Sequence, residues 1–317
     1  MRSLLAASLL LGCQACSSAP SGGPGATSRS GAATTTASVA AGPTGAATAS
    51  ATASAAGAAA ERAGIVFGAR GGAPVPFVLF LHGLGASGAR LVEVLGVAGL
   101  ARQLGFAYAA PDGDADGHGQ RFWNAGAACC DFEHRGPDHV ARLSRIVAAA
   151  ASDPGIDPAR IFVVGFSNGG FMAHRLACAD ARVTGIGTLG AAGPRDDEPC
   201  PARPPLAVVA VNADADKLVH FEGGSVLDRR DVPPHPSARD TVLAWGKRNG
   251  CTGALERSGT LDLDASIPGE ESATFGIAGC PAPVALWVVH GGSHFSGTSA
   301  RGTALVYGAL VEATVRR

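Results

Sequence analysis

The stretch Ile161-Phe162-Val163-Val164-Gly165-Phe166-Ser167-Asn168-Gly169-Gly170 constrains this chain more than any other. β-Branched and aromatic residues lead into a G-x-S-x-G sequence, and Phe171 to Cys178 then reads as a helix. A sharp strand-to-helix turn pushes a serine out beyond the carboxyl end of its strand. Small residues at the glycine positions let the backbone close there. A serine hydroxyl is barely ionised at neutral pH, so it becomes a nucleophile only with a base beside it and donors for the developing oxyanion. Because 45 of the 317 residues are glycine, the five-residue motif is weak alone; the strand and helix around it give it weight.

The chain begins with one positive charge and a short apolar run, Met1 to Leu11, then Gly12-Cys13. The region 1–16 reads as an export signal, too short to span a bilayer as a mature helix. Leu10-Leu11-Gly12-Cys13 resembles a bacterial lipobox, which would make Cys13 the lipidated residue; plain secretion is the alternative. Region 17–60 is almost entirely Ala, Gly, Ser, Thr and Pro, with Arg29 its one charge. It carries too little apolar surface to offset its ordering entropy and reads as a disordered tether. Region 61–317 has the composition and length of one catalytic domain. A formal net charge of −1 and the absence of basic blocks point away from nucleic acid.

Strand-like and helical patterns alternate along that domain. Strands are expected at Phe77–Leu81, Phe106–Ala110, Ile161–Phe166, Leu206–Val211 and Ala285–Val289. Helices are expected from Gly85 to about Leu104, Asp138–Ala151, Phe171–Cys178, Ser237–Arg248 and Ser299–Val315. Such alternation makes an α/β protein with a mostly parallel central sheet and helices on both faces. With the serine elbow in it, the expected arrangement is the α/β-hydrolase fold. Function in these sheets gathers beyond the carboxyl ends of the strands.

Candidate partners for Ser167 stand at those ends. Asn212-Ala213-Asp214-Ala215-Asp216 follows one late strand, and His290-Gly291-Gly292-Ser293-His294 follows the next. The order serine, carboxylate, histidine suits a base that takes the serine proton and a carboxylate that orients it. Asp216 is preferred over Asp214, which can serve as a turn-former. His294, past two glycines on a loop able to reach back over the sheet, is preferred over His290. His82-Gly83-Leu84-Gly85 follows the early strand, where this fold supplies an oxyanion donor. The expected pair of donors is the backbone N–H of Leu84 and of Asn168.

Six cysteines in the domain, behind an export signal, argue for disulfides over a metal site. Local pairing gives Cys178–Cys200 and Cys251–Cys280, each worth about 3 to 4 kcal/mol in the chain-entropy model. Cys129 and Cys130 are left as a vicinal disulfide or as two thiols.

Several motifs occur in order: Leu81-His82-Gly83, Pro111-Asp112-Gly113, Arg121 to Ala125, Cys129-Cys130, Gly165 to Gly170, Asp216 with Gly223-Gly224, and Gly291 to His294. As a set they resemble the poly(3-hydroxybutyrate) depolymerase-type secreted esterases, a group similar to the feruloyl and acetylxylan esterases of carbohydrate esterase family 1. The resemblance spans nearly all of 61–317. It implies Ser167 as nucleophile, Asp216 as acid and His294 as base, supports both disulfides, and implies ester hydrolysis without a cofactor. The substrates it implies are acyl or feruloyl esters of polysaccharides, or short polyesters. Two departures lie near the substrate: Asn212-Ala213-Asp214 stands where His-Gly-Thr is usual, and Phe295-Ser296-Gly297 where aromatic-Pro-Gly is usual.

Trp123 and Asn124 are expected to overhang the site, with Trp123 stacking on a substrate ring or, alternatively, packing locally. His118, His134 and His139 lie near acidic residues at spacings too irregular for a metal site. Phe171, Met172 and Leu176 fit the buried face of the helix after Ser167. A different class of function, a non-catalytic binding protein on a hydrolase scaffold, would not need to keep Ser167, Asp216 and His294 together. A membrane partner is expected only through the lipid anchor.

Overall fold

The computed structural model describes residues 63–68 and 72–315; Cys13 and the regions 1–16 and 17–60 lie outside them. The first part runs β1 (Val66–Phe67), β2 (Val75–Leu81), α1 (Gly88–Val94), α2 (Val97–Leu104), β3 (Ala107–Ala109), β4 (Asp114–Ala115) and β5 (Arg121–Phe122). Next come α3 (His139–Ser152), β6 (Ile156–Phe166), α4 (Asn168–Ala179), β7 (Gly185–Leu189) and β8 (Ala207–Ala213). The chain continues through α5 (Ala238–Asn249), β9 (Leu255–Leu261), β10 (Ser272–Ile277), β11 (Val284–Val289) and α6 (Ala300–Val315).

Nine strands form one sheet in the order β1-β3-β2-β6-β7-β8-β11-β10-β9. The pairs from β3 through to β11 are parallel, and antiparallel strands extend the sheet at both edges. Strand periodicity of two sorts side chains between the faces. Phe77, Leu79 and Leu81 join Ile161 and Val163 in one core with residues of α3, α4 and α5. Val78 and Phe80 join Phe162 and Val164 in the other with residues of α1, α2 and α6. Burial on both faces explains the unbroken apolar runs in the central strands.

Local signals set the helix ends. Ser87, Asp138 and Ser237 cap α1, α3 and α5 by accepting from the N–H of Arg90, Ala141 and Asp240, each worth about 1 kcal/mol. The single helical stretch expected before Leu104 is two helices, broken at Gly96, whose φ of 63° leaves the right-handed helical region. All six domain cysteines are paired: Cys178–Cys200, Cys251–Cys280 and the vicinal Cys129–Cys130.

His174 on α4 is fully buried, and its Nδ1 accepts from the Trp245 indole N–H at 2.9 Å. Burial, helped by the Arg248 charge, pushes its pKa down from 6.5 to about 3. The unfolded chain therefore binds a proton near pH 6.5 that the native ring refuses until about pH 3. Stability rises with pH across that window and is lost as pH falls through it. From pH 7 to pH 5, His174 alone should cost about 2 kcal/mol. His82, His139 and His235, lowered first by burial, tilt the curve the same way. Urea unfolding at the two pH values measures this, and an unchanged midpoint would contradict a neutral buried His174.

Candidate functional site

Ser167 joins β6 to α4 with φ 53° and ψ −123°, a conformation a non-glycine residue rarely adopts. The turn is fixed by hydrogen bonds from Ser167 N–H to the Leu189 carbonyl (2.8 Å) and from Gly170 N–H to the Ser167 carbonyl (2.7 Å). Its glycines are required by contact. A Cβ on Gly165 would collide with the Gly169 carbonyl, and one on Gly169 with the carbonyls of Leu81 and His82. β6, α4 and the loop after β2 thus approach more closely than any side chain permits.

The two Asp–His choices resolve into two separate pairs. Asp216, on the loop after β8, accepts from His294 Nδ1–H at 2.7 Å, and both side chains are buried. Burial alone would raise the Asp216 pKa, but the His294 hydrogen bond and charge and the N–H groups of Val219 and Leu218 hold it below the ordinary value. That hydrogen bond leaves Nε2 as the proton-accepting nitrogen of His294. The ring packs 5.0 Å from the Phe166 ring, centroid to centroid, and against Gly190, directly after the β7 residue that accepts from Ser167. Asp214 instead meets His290 Nδ1 at 2.8 Å in an exposed pair.

Ser167 and His294 line one cleft of about 220 Å³. Its remaining walls are almost wholly apolar and include Leu84, Cys130, Leu218, Leu227 and Phe295. Leu227 is 40% and Phe295 62% exposed, so an apolar lip faces solvent at the site. Of these wall residues, the sequence named Leu84 as an oxyanion donor, Phe295 in a departure near the substrate and Cys130 as a candidate disulfide partner, but neither Leu218 nor Leu227. The adjacency of Phe295 to His294 was a signal; the loop after Asp216 that supplies Leu218 and Leu227 carried none.

A buried network holds the loop after β2 against the elbow. Asn168 Oδ1 accepts from Trp123 N–H (2.7 Å) and Asn168 Nδ2 donates to the Trp123 carbonyl (2.9 Å). The Trp123 indole N–H donates to the His82 carbonyl at 3.0 Å. His82 Nδ1–H donates to the Gly83 carbonyl (2.7 Å), while its Nε2 accepts from Gly113 N–H (2.8 Å). The backbone N–H groups of Leu84 and Asn168 donate to no acceptor among the described residues.

The expected substrate contacts of Trp123 and Asn124 are corrected. Trp123 is 0% exposed and ties the two loops together from below, so it cannot stack on a substrate. Asn124 Nδ2 donates to the Pro137 carbonyl and its Oδ1 accepts from Arg175, and it borders a different pocket, whose wall includes Cys129. His139 Nε2 lies 3.5 Å from Asp114 and His118 Nε2 3.9 Å from Glu133. Among the described residues no group of three or more His, Cys, Asp or Glu is placed to hold a metal ion.

No family model matches the chain. It is 31% identical over 231 residues to NocK of Nocardia uniformis subsp. tsuyamanensis, a protein provisionally named an esterase, covering 69% of this chain and 64% of that one. It is 26% identical over 191 residues to feruloyl esterase B of Piromyces equi, covering 57% of this chain and 32% of that one. The chain thus spans less than two thirds of either relative. The acetyl xylan esterase of Aspergillus awamori superposes with a TM-score of 0.51 at 13% identity, over 73% of this chain and 87% of that one. This chain has the α/β-hydrolase fold, and the proteins it resembles in sequence are named as esterases.

Proposed function

We propose that this protein is a serine carboxylic-ester hydrolase acting through an acyl-enzyme on acyl or feruloyl esters of polysaccharides. One observation carries the reading: Ser167 and His294 line the same cleft, and Asp216 holds the far nitrogen of His294 at 2.7 Å. Ser167 Oγ attacks the ester carbonyl carbon as His294 Nε2 takes its proton. The carbonyl oxygen becomes an oxyanion facing the N–H groups of Leu84 and Asn168, and each such donor is worth about 10²- to 10³-fold in rate. Collapse breaks the bond to the alcohol oxygen, which leaves with the proton from His294. Water then gives a proton to His294, attacks the acyl-enzyme and releases the acid, and Ser167 regains its proton. Asp216 stays ionised and stabilises the imidazolium in both halves.

The apolar walls and the Phe166–Phe295 ring pair at 5.5 Å favour an aromatic acyl group over acetyl. Phe295→Ala should raise KM for a feruloyl ester about tenfold and leave that for an acetyl ester nearly unchanged. Steady-state kinetics on the two esters measure it; equal effects would remove Phe295 from the acyl site. The exposed apolar lip of Leu227 and Phe295 also suits a short 3-hydroxybutyrate polyester, the second reading. A p-nitrophenyl ester panel separates an enzyme from a binding protein. Ferulate or acetate release from xylan, set against 3-hydroxybutyrate release, then separates the substrates.

The same proposal includes export and anchoring through Cys13, supported by the apolar run before it and the nearly uncharged tether behind it. Acyl chains contribute about 0.8 kcal/mol per buried CH₂, so a diacylglycerol thioether holds a chain at a membrane. After expression in a bacterial host, the wild type should fractionate with membranes and Cys13→Ser should not. Both in the soluble fraction with unmodified N-termini would remove the anchor and leave the hydrolase reading standing.

A further inference from the structure

Asp214 and His290 are the carboxylate and histidine that the proposed reaction leaves unused, yet they meet as closely as the pair it uses. Asp214 Oδ2 accepts from His290 Nδ1 at 2.8 Å, and its Oδ1 accepts from the backbone N–H of Gly291 at 2.7 Å. The main chain adds a third tie, from Asp214 N–H to the Val289 carbonyl at 3.2 Å. One side chain thus grips the first two residues of the loop that carries His294. Beyond the grip the loop turns sharply: Gly291 has φ 68°, and Gly292 N–H bonds back to the Val289 carbonyl at 3.3 Å. His290 N–H donates to the carbonyl of Glu271, the residue just before β10, at 3.1 Å, fixing the same point from the other side.

We infer that Asp214 and His290 are positioning residues, a latch that fixes where the His294 loop leaves the sheet and so holds Nε2 at Ser167. The inference rests on the catalytic reading of Ser167 and His294. The two loops are then joined twice, by an outer pair at the strand ends and an inner pair four residues further along the histidine loop. The inner pair and the packing against Phe166 and Gly190 hold the imidazole itself. The outer pair fixes the main chain from which that side chain reaches the cleft. Displacing a reacting group by about 1 Å can cost about 10²-fold in rate, so a latch outside the cleft can matter to the chemistry. The pair's exposure makes the reading testable, because a solvent-exposed side-chain pair contributes little to stability.

The test measures kcat, KM and Tm for Asp214→Ala, Asp214→Asn, His290→Ala and the double alanine variant, with active sites counted by covalent titration of the serine. Asp214→Ala should lower kcat per titrated site about 10- to 100-fold, with KM unchanged and Tm within about 3 °C of wild type. Asp214→Asn, which keeps an acceptor for Gly291 N–H, should recover most of that loss. The double variant should lose no more than Asp214→Ala alone, because both residues act through one latch. Unchanged kcat per titrated site in Asp214→Ala, or a loss explained by fewer titratable sites and a lower Tm, overturns the latch. A loss in Asp214→Asn as deep as in Asp216→Asn overturns it differently, by making Asp214 the catalytic acid. Full activity in Ser167→Ala would instead sink the hydrolase reading, so the two failures are told apart.

Discussion

Ser167→Ala should lose nearly all ester turnover, a fall that can reach about 10⁶-fold, and His294→Ala should lose about as much. The two effects are of one size because the groups act as a unit. Without His294 the serine keeps its proton; without Ser167 the histidine has no nucleophile beside it. The residual rate in either variant reflects binding and the oxyanion donors, which both leave intact. Neither change should unfold the protein. Ser167 sits in a strained conformation that alanine must also adopt, and its side chain makes no hydrogen bond among the described residues that alanine would break. Initial rates on a p-nitrophenyl ester, with circular dichroism as a check on folding, measure the outcome. Retained turnover in a folded Ser167→Ala would end the serine mechanism.

Asp216→Asn should lower kcat by about 10⁴-fold with the fold intact. The asparagine can still accept through Oδ1 from the N–H groups of Leu218 and Val219, as Asp216 Oδ1 does at 2.8 and 3.0 Å. What it loses is the charge. Its amide can donate to His294 Nδ1, which moves the ring proton to Nε2 and removes the base from the serine. The buried imidazolium that forms during the reaction also loses its counter-charge. Asp214→Asn should lose far less, since Asp214 meets His290 and not His294. Parallel kinetics on the two variants decide it, and reversed losses would move the acid by two residues.

The elbow was legible because its whole signal is local: an apolar strand, glycines where backbones touch, and a helix directly after. The central strands were legible for a related reason, since burial on both faces leaves continuous apolar runs. β7 was not, because Gly185-Ile186-Gly187-Thr188-Leu189 offers few β-formers. Its glycines reflect a neighbour distant in sequence: side chains on them would meet Leu310 and Val306 of α6. β9 is mostly exposed and polar and leaves no alternation to read. The choice between Asp214 and Asp216 could be preferred in sequence but not decided. Both follow one strand two residues apart, and only the pairing of β8 with β11 shows which histidine each meets. Trp123 stayed open between substrate wall and local packing, because the partners that decide for packing, His82 and Asn168, lie 41 and 45 residues away.

The central claim, that Ser167 is the nucleophile of an acyl-enzyme mechanism, is tested most directly by covalent labelling and peptide mapping. A fluorophosphonate reacts with a serine that a neighbouring base has activated and leaves a stable adduct of known mass. The wild type should take up one label per chain, on the peptide containing Ser167, with hydrolysis lost in proportion to labelling, and His294→Ala should label far more slowly. Hydrolysis that persists in fully labelled protein, or a stoichiometric label on any other residue, would contradict the account.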